Sequence, residues 1–258
     1  MNDLNVLFRN RVGIPQNEVI TFHYLDNVLE KTAKSIPFEN LCIIENRMKE
    51  ITKENLTSKI LEQNEGGLCY ELNTILYLFL NENHFNPTLV RGVTYNHMEQ
   101  QWSATGNTHV LNLITHNGQV FIVDTGFGGN LPLKPVPLSG ECVASINGEF
   151  RVDPVESEHG DYILFMKLNR KDEEWKIGYA FNSKDKVHNL TDLNDVQRII
   201  VEHPESAFNK KPLITKITDN GNITLTDTSF TEHDFHTLNK ETIDERRFNE
   251  IRKEYFNL

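Results

Sequence analysis

A cysteine lies where a glycine pair meets the start of a predicted helix. Residues 66–67 are both glycine, and Cys69 opens a stretch of apolar residues with helical spacing, so we expect the thiol in the first turn of a helix. The N-terminus of a helix carries partial positive charge, which favours a thiolate over a thiol. Because the thiolate is the reactive form of cysteine, Cys69 is a candidate nucleophile.

A predicted β-hairpin supplies a histidine and a carboxylate. Strands at 108–114 and 119–125 flank an Asn-Gly pair at 117–118, which is typical of a two-residue hairpin turn. With that turn, His109 and Asp124 are diagonal neighbours on one face, with Cβ atoms roughly 7–8 Å apart or less. A slip of one residue would place them on opposite faces. The predicted cross-strand pairs are His116 with Gln119, Leu113 with Ile122, Leu111 with Asp124 and His109 with Gly126.

Cys69, His109 and Asp124 together form a candidate catalytic triad. The histidine would take the thiol proton, its imidazolium would stabilise the thiolate, and the carboxylate would orient the ring. Each residue alone is more often structural, since a buried cysteine usually packs as a small apolar side chain. The glycine-rich loop at 126–129 lets backbone approach a ligand closely. The combination therefore favours catalysis over packing.

The elements that must position these residues change character along the chain. Residues 1–85 favour helices, including one at 21–36 that Pro37 ends. Residues 86–189 favour strands, which predicts a β-barrel or sheet. Residues 190–258 form a mixed region, which predicts an α/β cap. The other predicted elements are strands at 88–95, 149–152, 162–168, 175–179, 213–217 and 222–226, a helix at 190–201, and a C-terminal helix from Asp234 onward.

Composition limits the classes of partner and the setting. The chain has 258 residues and a net charge of −11, which argues against nucleic acid or an anionic membrane as the main partner. It has no apolar run near the ~20 residues of a membrane span and no signal-peptide pattern at its start. Cys42, Cys69 and Cys142 have neither disulfide nor metal-site spacing. We therefore expect no metal and a reducing cytoplasm.

At these residues the chain resembles the arylamine N-acetyltransferases. The family's motifs occur here in the same order and spacing, from about residue 10 to 226. The matched motifs are Pro-Phe-Glu-Asn at 37–40, Gly-Gly-x-Cys-x-Glu-x-Asn at 66–73, the histidine strand at 108–113, Val-Asp-x-Gly-Phe-Gly at 123–128 and Pro-x-Ser-x-Phe at 204–208.

The resemblance implies an α+β fold in three domains. These would be a helical N-terminal domain at 1–85 with the nucleophile, a β-barrel at 86–189 with the histidine and aspartate, and an α/β lid at 190–258. It further implies a papain-like arrangement of nucleophile helix and barrel, with the triad in a cleft.

The resemblance also implies a reaction. Acetyl-CoA would acetylate Cys69, and an arylamine, arylhydrazine or hydroxylamine would then accept the acetyl group. The remaining residues that it implicates are Phe38 and Phe127 for the acceptor pocket, and Thr105, Gly106, Gly126 and Ser206 for coenzyme A. An amide synthase or a thiol hydrolase on the same scaffold, and a non-catalytic binding protein, are alternatives.

One residue departs from the family pattern. The family has arginine before the glycine pair, where this chain has Glu65. If Glu65 and Glu39 lie close together, their charges repel, and we expect another basic residue such as Arg47 to compensate.

Overall fold

The N-terminal region is mainly helical, as predicted. The computed structural model describes residues 3–169, 171–234 and 237–258, and within those ranges no helix is long and apolar enough to cross a bilayer. The α-helices are α1 Leu4–Val12, α2 Leu25–Ser35, α3 Leu41–Ile44, α4 Lys53–Leu56, α5 Cys69–Glu82, α6 Leu193–Glu202 and α7 Glu245–Phe256. Shorter turns are 3₁₀-helical at Phe22–Tyr24, Gly128–Asn130 and Leu190–Asp192, and π-helical at Thr57–Glu62.

Two antiparallel sheets complete the α+β fold. The larger is a nearly closed barrel in the order β6-β5-β4-β2-β10-β9-β8-β7, with β3 paired to β2, and the smaller has the order β1-β11-β12-β13-β14. The strands are β1 Phe38–Glu39, β2 Thr88–Asn96, β3 Gln101–Trp102, β4 His109–His116, β5 Gln119–Val123, β6 Val136–Pro137, β7 Val143–Ser145, β8 Gly148–Ser157, β9 Gly160–Leu168, β10 Lys176–Lys186, β11 Leu213–Thr218, β12 Gly221–Thr226, β13 Ser229–Asp234 and β14 Leu238–Thr242.

Helix α5 lies between the other helices and strand β4. It is apolar on most of its surface, which is typical of a helix buried inside a domain. Its apolar side chains share one core with Val110 and Ile114 of β4 and with Val196 of α6. This packing places the first residue of α5 beside the first residue of β4, which brings together Cys69 and His109.

The hairpin forms with the predicted turn and register. Asn117 and Gly118 both have positive φ, at 50° and 79°, as a type I′ turn requires. His116 pairs with Gln119 and Leu113 with Ile122, as predicted. The ladder ends at Val123, so the predicted pairs of Leu111 with Asp124 and of His109 with Gly126 lie beyond it.

The predicted C-terminal helix from Asp234 is wrong in its start. Strands β13 and β14 pair as a hairpin, with Phe230 opposite Glu241. The helix begins only at Glu245, because the carboxylate of Asp244 accepts the N–H of Arg247 at 2.8 Å and caps it. Residues 235–236, which the predicted helix included, lie outside the described ranges.

Contacts cross the boundaries of the three predicted domains. Strand β1, from the first segment, pairs with β11, from the third, with Phe38 opposite Thr215. Helix α6 packs into the same core as α5. The division at 85 and 189 stays a prediction.

Candidate active site

The first residue of α5 presents the candidate nucleophile. Cys69 is 7% exposed, and its Sγ lies 3.4 Å from the carbonyl oxygen of Thr108. The helix starts there because Glu71 accepts the N–H of Leu68 at 3.1 Å, which satisfies one of the otherwise unpaired donors of the first turn. The thiol is therefore held at a fixed end of a buried helix.

His109 and Asp124 are paired beside the thiol. His109 Nε2 lies 2.9 Å from Asp124 Oδ2, and both side chains are buried. This bond leaves the other ring nitrogen, Nδ1, available to Cys69. The structure thus brings the three residues of the predicted triad together, and the carboxylate holds the histidine ring in place.

The charges of this pair favour an imidazolium. Burial lowers the pKa of His109, but the charge and hydrogen bond of Asp124 and a hydrogen bond with Cys69 outweigh it and raise the pKa to about 10. Burial raises the pKa of Asp124, yet the charge of His109 and several hydrogen bonds hold it below its ordinary value. The geometry thus supports an ionised carboxylate beside a protonated ring.

Three further donors fix the carboxylate of Asp124. Oδ1 accepts bonds from Asn73 Nδ2 at 2.8 Å and from the N–H of Gly126 at 2.7 Å. Oδ2 also accepts the hydroxyl of Tyr179 at 3.0 Å. Asn73 belongs to the nucleophile motif, whereas the sequence reasoning missed Tyr179. Its strand, β10, follows Asp124 only after a long separation, and no local motif marks it.

A cavity of about 670 Å³ opens onto Cys69 and His109. Phe127 forms one wall, with its ring centroid 5.3 Å from that of His109. Phe38 forms another and meets the ring of Phe208 edge to face at 5.6 Å. The two predicted acceptor-pocket residues therefore share one cavity with the triad.

The predicted coenzyme A contacts lie at or near the same cavity. Thr105, Gly126 and Ser206 line it, whereas Gly106 is the next residue in the turn and is not among its lining residues. A Cβ on Gly126 would lie 2.6 Å from Cys69 Cα, so the glycine permits the loop after β5 to reach Cys69.

The predicted repulsion around Glu65 is relieved by separate cations. Arg47 Nη1 lies 3.2 Å from Glu65 Oε1, in agreement with the compensation suggested from the sequence. Glu39 instead faces Lys59, whose Nζ is 3.9 Å from its Oε1. The residue that departs from the family pattern therefore has a partner of its own.

Sequence comparison identifies the family. A family model described as N-acetyltransferase matches residues 21–258, nearly the whole chain. A probable arylamine N-acetyltransferase 3 of Dictyostelium discoideum is 32% identical over 264 residues, which cover 93% of this chain and 86% of that protein. The chain belongs to the arylamine N-acetyltransferase family. As a member of that family it is an acyltransferase, and the resemblance found in its motifs is confirmed.

Two bacterial proteins are more similar to this chain in sequence. An uncharacterized acetyltransferase of Bacillus subtilis, YvcN, is 39% identical over 216 residues, covering 84% of this chain and 83% of that protein. The crystal structure of an arylamine N-acetyltransferase from Bacillus cereus is also 39% identical, has a TM-score of 0.94, and covers 100% of this chain and 99% of that one. The fold predicted for the family is therefore the fold of this chain.

The Bacillus cereus enzyme is described as having a unique Cys-His-Glu catalytic triad. In this arylamine N-acetyltransferase family member, the carboxylate bonded to His109 is an aspartate, Asp124. The shorter side chain is held by Asn73, Gly126 and Tyr179 as well as by His109, so all its oxygens are occupied by donors.

Proposed function

We propose that this enzyme transfers acetyl groups from acetyl-CoA to arylamines, arylhydrazines or arylhydroxylamines by a ping-pong mechanism. The observation that supports the proposal best is the buried arrangement of Cys69, His109 and Asp124 at the floor of a cavity with aromatic walls. Acetyl transfer to arylamines is the activity of the family. The acetyl-cysteine intermediate and the roles of individual residues are our assignments.

In the first half-reaction, Cys69 acts as the nucleophile. Its thiolate attacks the thioester carbonyl, a new sulfur–carbon bond forms, and the bond to coenzyme A sulfur breaks. The imidazolium of His109 gives its proton to the departing thiolate. One thioester replaces another, so this step is close to balanced in energy. Backbone N–H groups at the start of α5 are candidates to stabilise the oxyanion.

In the second half-reaction, an aromatic amine replaces coenzyme A. The amine nitrogen attacks the acetyl carbon, His109 accepts its proton, and the Cys69 sulfur leaves as a thiolate. Asp124 keeps the ring of His109 in the orientation that both proton transfers need. Formation of an amide from a thioester is downhill, so the second step drives the cycle forward.

We assign residues at or near the cavity to each of the two substrates. Phe38 and Phe127 are assigned to the aromatic ring of the acceptor, since aromatic faces pack favourably on one another. The assignments for coenzyme A are Thr105, Gly106, Gly126 and Ser206.

Incubation with acetyl-CoA alone tests the intermediate. We expect intact-mass measurement to show one acetyl group per chain, mapped to Cys69, with an equal amount of coenzyme A released. Cys69→Ala should show neither product. Addition of 4-aminobenzamide should then discharge the acetyl group as an amide.

Two results would contradict the proposal. If no acetyl group is gained and no coenzyme A is released, the acetyltransferase assignment fails. If the acetyl group forms but water alone discharges it, the enzyme is a thioester hydrolase.

A further inference from the structure

Lys59 is a nearly buried cation beside the segment that leads to the nucleophile. It lies in the π-helical turn Thr57–Glu62, and only 14% of its side chain is exposed. Its Nζ is 2.6 Å from Oε1 of Glu71 and 3.9 Å from Oε1 of Glu39. One ammonium group therefore bridges two carboxylates from different parts of the chain. Such π-turns are frequent at functional sites.

Both carboxylate residues hold the backbone just before Cys69. Glu71 uses its second oxygen, Oε2, to accept the N–H of Leu68 at 3.1 Å. Glu39 donates its own backbone N–H to the carbonyl oxygen of Gly67 at 3.0 Å. The two residues bridged by the ammonium thus contact the two positions immediately before the nucleophile.

The glycine pair is what lets these groups approach. A Cβ on Gly67 would lie 2.7 Å from Glu71 Oε2, and one on Gly66 would collide with the carbonyl oxygen of Pro37 and lie 2.8 Å from Glu39 Cγ. Contacts so short do not fit in a close-packed interior. The segment at 66–68 therefore packs directly on the two glutamates, and any change in their positions is passed to it.

Lys59 balances the negative charges of Glu39 and Glu71. Burial lowers its pKa, but the carboxylates of Glu71 and Glu39 outweigh burial and raise it, so the amine stays charged. Burial also raises the pKa of Glu39, against which the charge of Lys59 acts. Without that charge, two nearly buried carboxylates would face each other.

In the described part of the chain, the other charged neighbours supply no substitute cation, because Arg47 already pairs with Glu45 and Glu65. Glu65 is held by Arg47 at 3.2 Å and accepts the thiol of Cys42 at 3.3 Å. Burial raises the pKa of Cys42 to about 12, so its thiol stays neutral. Burial likewise raises the pKa of Tyr70 well above its ordinary value.

The geometry points to Lys59 as a positioning residue for Cys69. Its charge holds Glu39 and Glu71 together against residues 66–68, and this sets the backbone from which the nucleophile projects. The inference rests on the proposed role of Cys69 as the nucleophile, and it adds a residue that belongs neither to the triad nor to the lining of the cavity.

Two single variants separate charge from side-chain volume. We expect Lys59→Met to slow both single-turnover acetylation by acetyl-CoA and alkylation of Cys69 by iodoacetamide, on the order of 10–100-fold, with a smaller change in KM. Lys59→Arg keeps the charge, and a small cavity of about 40 Å³ beside Lys59 can take the larger head group. It should retain most of both rates.

A pH series shows whether repulsion causes the loss. In K59M the two carboxylates lack a cation, which raises the pKa of one of them, so the rates relative to wild type should improve as the pH falls from about 8 to about 6. The double variant K59M/E71Q removes the repulsion at every pH, and its amide oxygen can still accept the N–H of Leu68. Its rates should exceed those of K59M at about pH 8 and show little of this pH dependence.

Lys53→Met is the matched control. Lys53 also pairs with a glutamate, Glu82, at 2.7 Å, but it is 46% exposed and lies outside the cleft lining. It should leave both rates unchanged.

Three outcomes would overturn the role of Lys59. One is unchanged acetylation and alkylation in K59M, and another is a loss that neither low pH nor E71Q relieves. If K59M does not fold, the folding of K59M/E71Q is measured in its place. Recovered folding in the double variant supports the charge pairing. The third contradicting outcome is that neither variant folds.

The proposed function can fail without affecting this test. If Cys69 of the wild-type enzyme is alkylated but never acetylated, the proposed function is rejected, and the comparison of alkylation rates still decides the role of Lys59.

Discussion

At the scale of single residues, the His109–Asp124 pair predicts how the reactivity of Cys69 changes with pH. The pKa of His109 is lowered by burial but raised overall to about 10 by Asp124 and Cys69. The imidazolium therefore persists as the pH rises through neutrality and is lost only near that value. We expect the rate of Cys69 alkylation to stay nearly constant from about pH 6 to about pH 9.

His109→Ala provides the comparison for this profile. Without the imidazolium, alkylation of Cys69 should be much slower at neutral pH, and its rate should rise with pH over the same range. Peptide mapping is required because Cys142 is exposed and reacts with the same reagent. Equal slopes in the two proteins would show that the ion pair does not control the thiol.

Tyr179 offers a second test at this scale. Its hydroxyl donates to Asp124 at 3.0 Å, while its ring packs on His109 with centroids 4.4 Å apart. Tyr179→Phe keeps the ring and removes the bond, so kcat/KM should fall about two- to tenfold with about 1 kcal/mol or less of lost stability. Steady-state kinetics and thermal unfolding measure the two effects. Tyr162→Phe on β9 is the control and should change neither, and a normal kcat/KM in the Tyr179 variant would contradict the argument.

The residues that the sequence could reveal are those tied by local geometry. Cys69 follows from the start of one helix, and His109 and Asp124 follow from one hairpin whose turn was recognisable. Tyr179 could not be found in this way, because it reaches Asp124 from 55 positions away through the pairing of β10 with β2. Nor could the bridging role of Lys59, since it depends on a π-turn that packs against two distant segments.

At the scale of elements, the loop after β5 must approach the first turn of α5 closely. A Cβ on Gly126 would lie 2.6 Å from Cys69 Cα and 2.6 Å from Asn73 Nδ2, so Gly126→Ala must push the loop away from the helix. We expect a loss of kcat on the order of 100-fold, because a displacement of about 1 Å at a reacting centre has that effect.

Gly129→Ala, in the same loop, controls for this prediction. The atoms nearest to a Cβ there are 3.8 Å away, so the methyl group fits without displacement. Both variants should fold, as judged by circular dichroism, but only the first should lose acetyl transfer. Similar activity in the two variants would show that the close approach at Gly126 is not needed.

The errors of the sequence reasoning also belong to this scale. The sequence predicted a helix from Asp234 onward, whereas β13 and β14 are paired antiparallel strands. Alternating and helical patterns are hard to separate when, as in β14, every side chain is exposed. Strand β1 was missed because two residues carry no periodic pattern, and only its pairing with β11 defines it.

At the scale of the whole molecule, charge predicts selectivity between acceptors. The chain has a net charge of −11, and the cavity lining in the described ranges includes Glu99 and Glu205 but neither lysine nor arginine. A negatively charged acceptor therefore enters against an unfavourable field, which a neutral acceptor of the same shape does not feel.

The matched pair 4-aminobenzoate and 4-aminobenzamide measures this field, because the two differ in charge and hardly in shape. We expect kcat/KM for the amide to exceed that for the carboxylate by about two- to tenfold at about 0.01 M salt, where the screening length is about 30 Å. At about 1 M salt the screening length is about 3 Å, so the ratio should shrink towards the value that the intrinsic reactivities of the two amines set. Glu205→Gln should bring the two kcat/KM values closer together at low salt and have little effect at high salt. It removes one of the two lining carboxylates without changing the aromatic walls. If the ratio of the two kcat/KM values changes neither with salt nor with this substitution, local packing, and not the charge of the molecule, selects the acceptor.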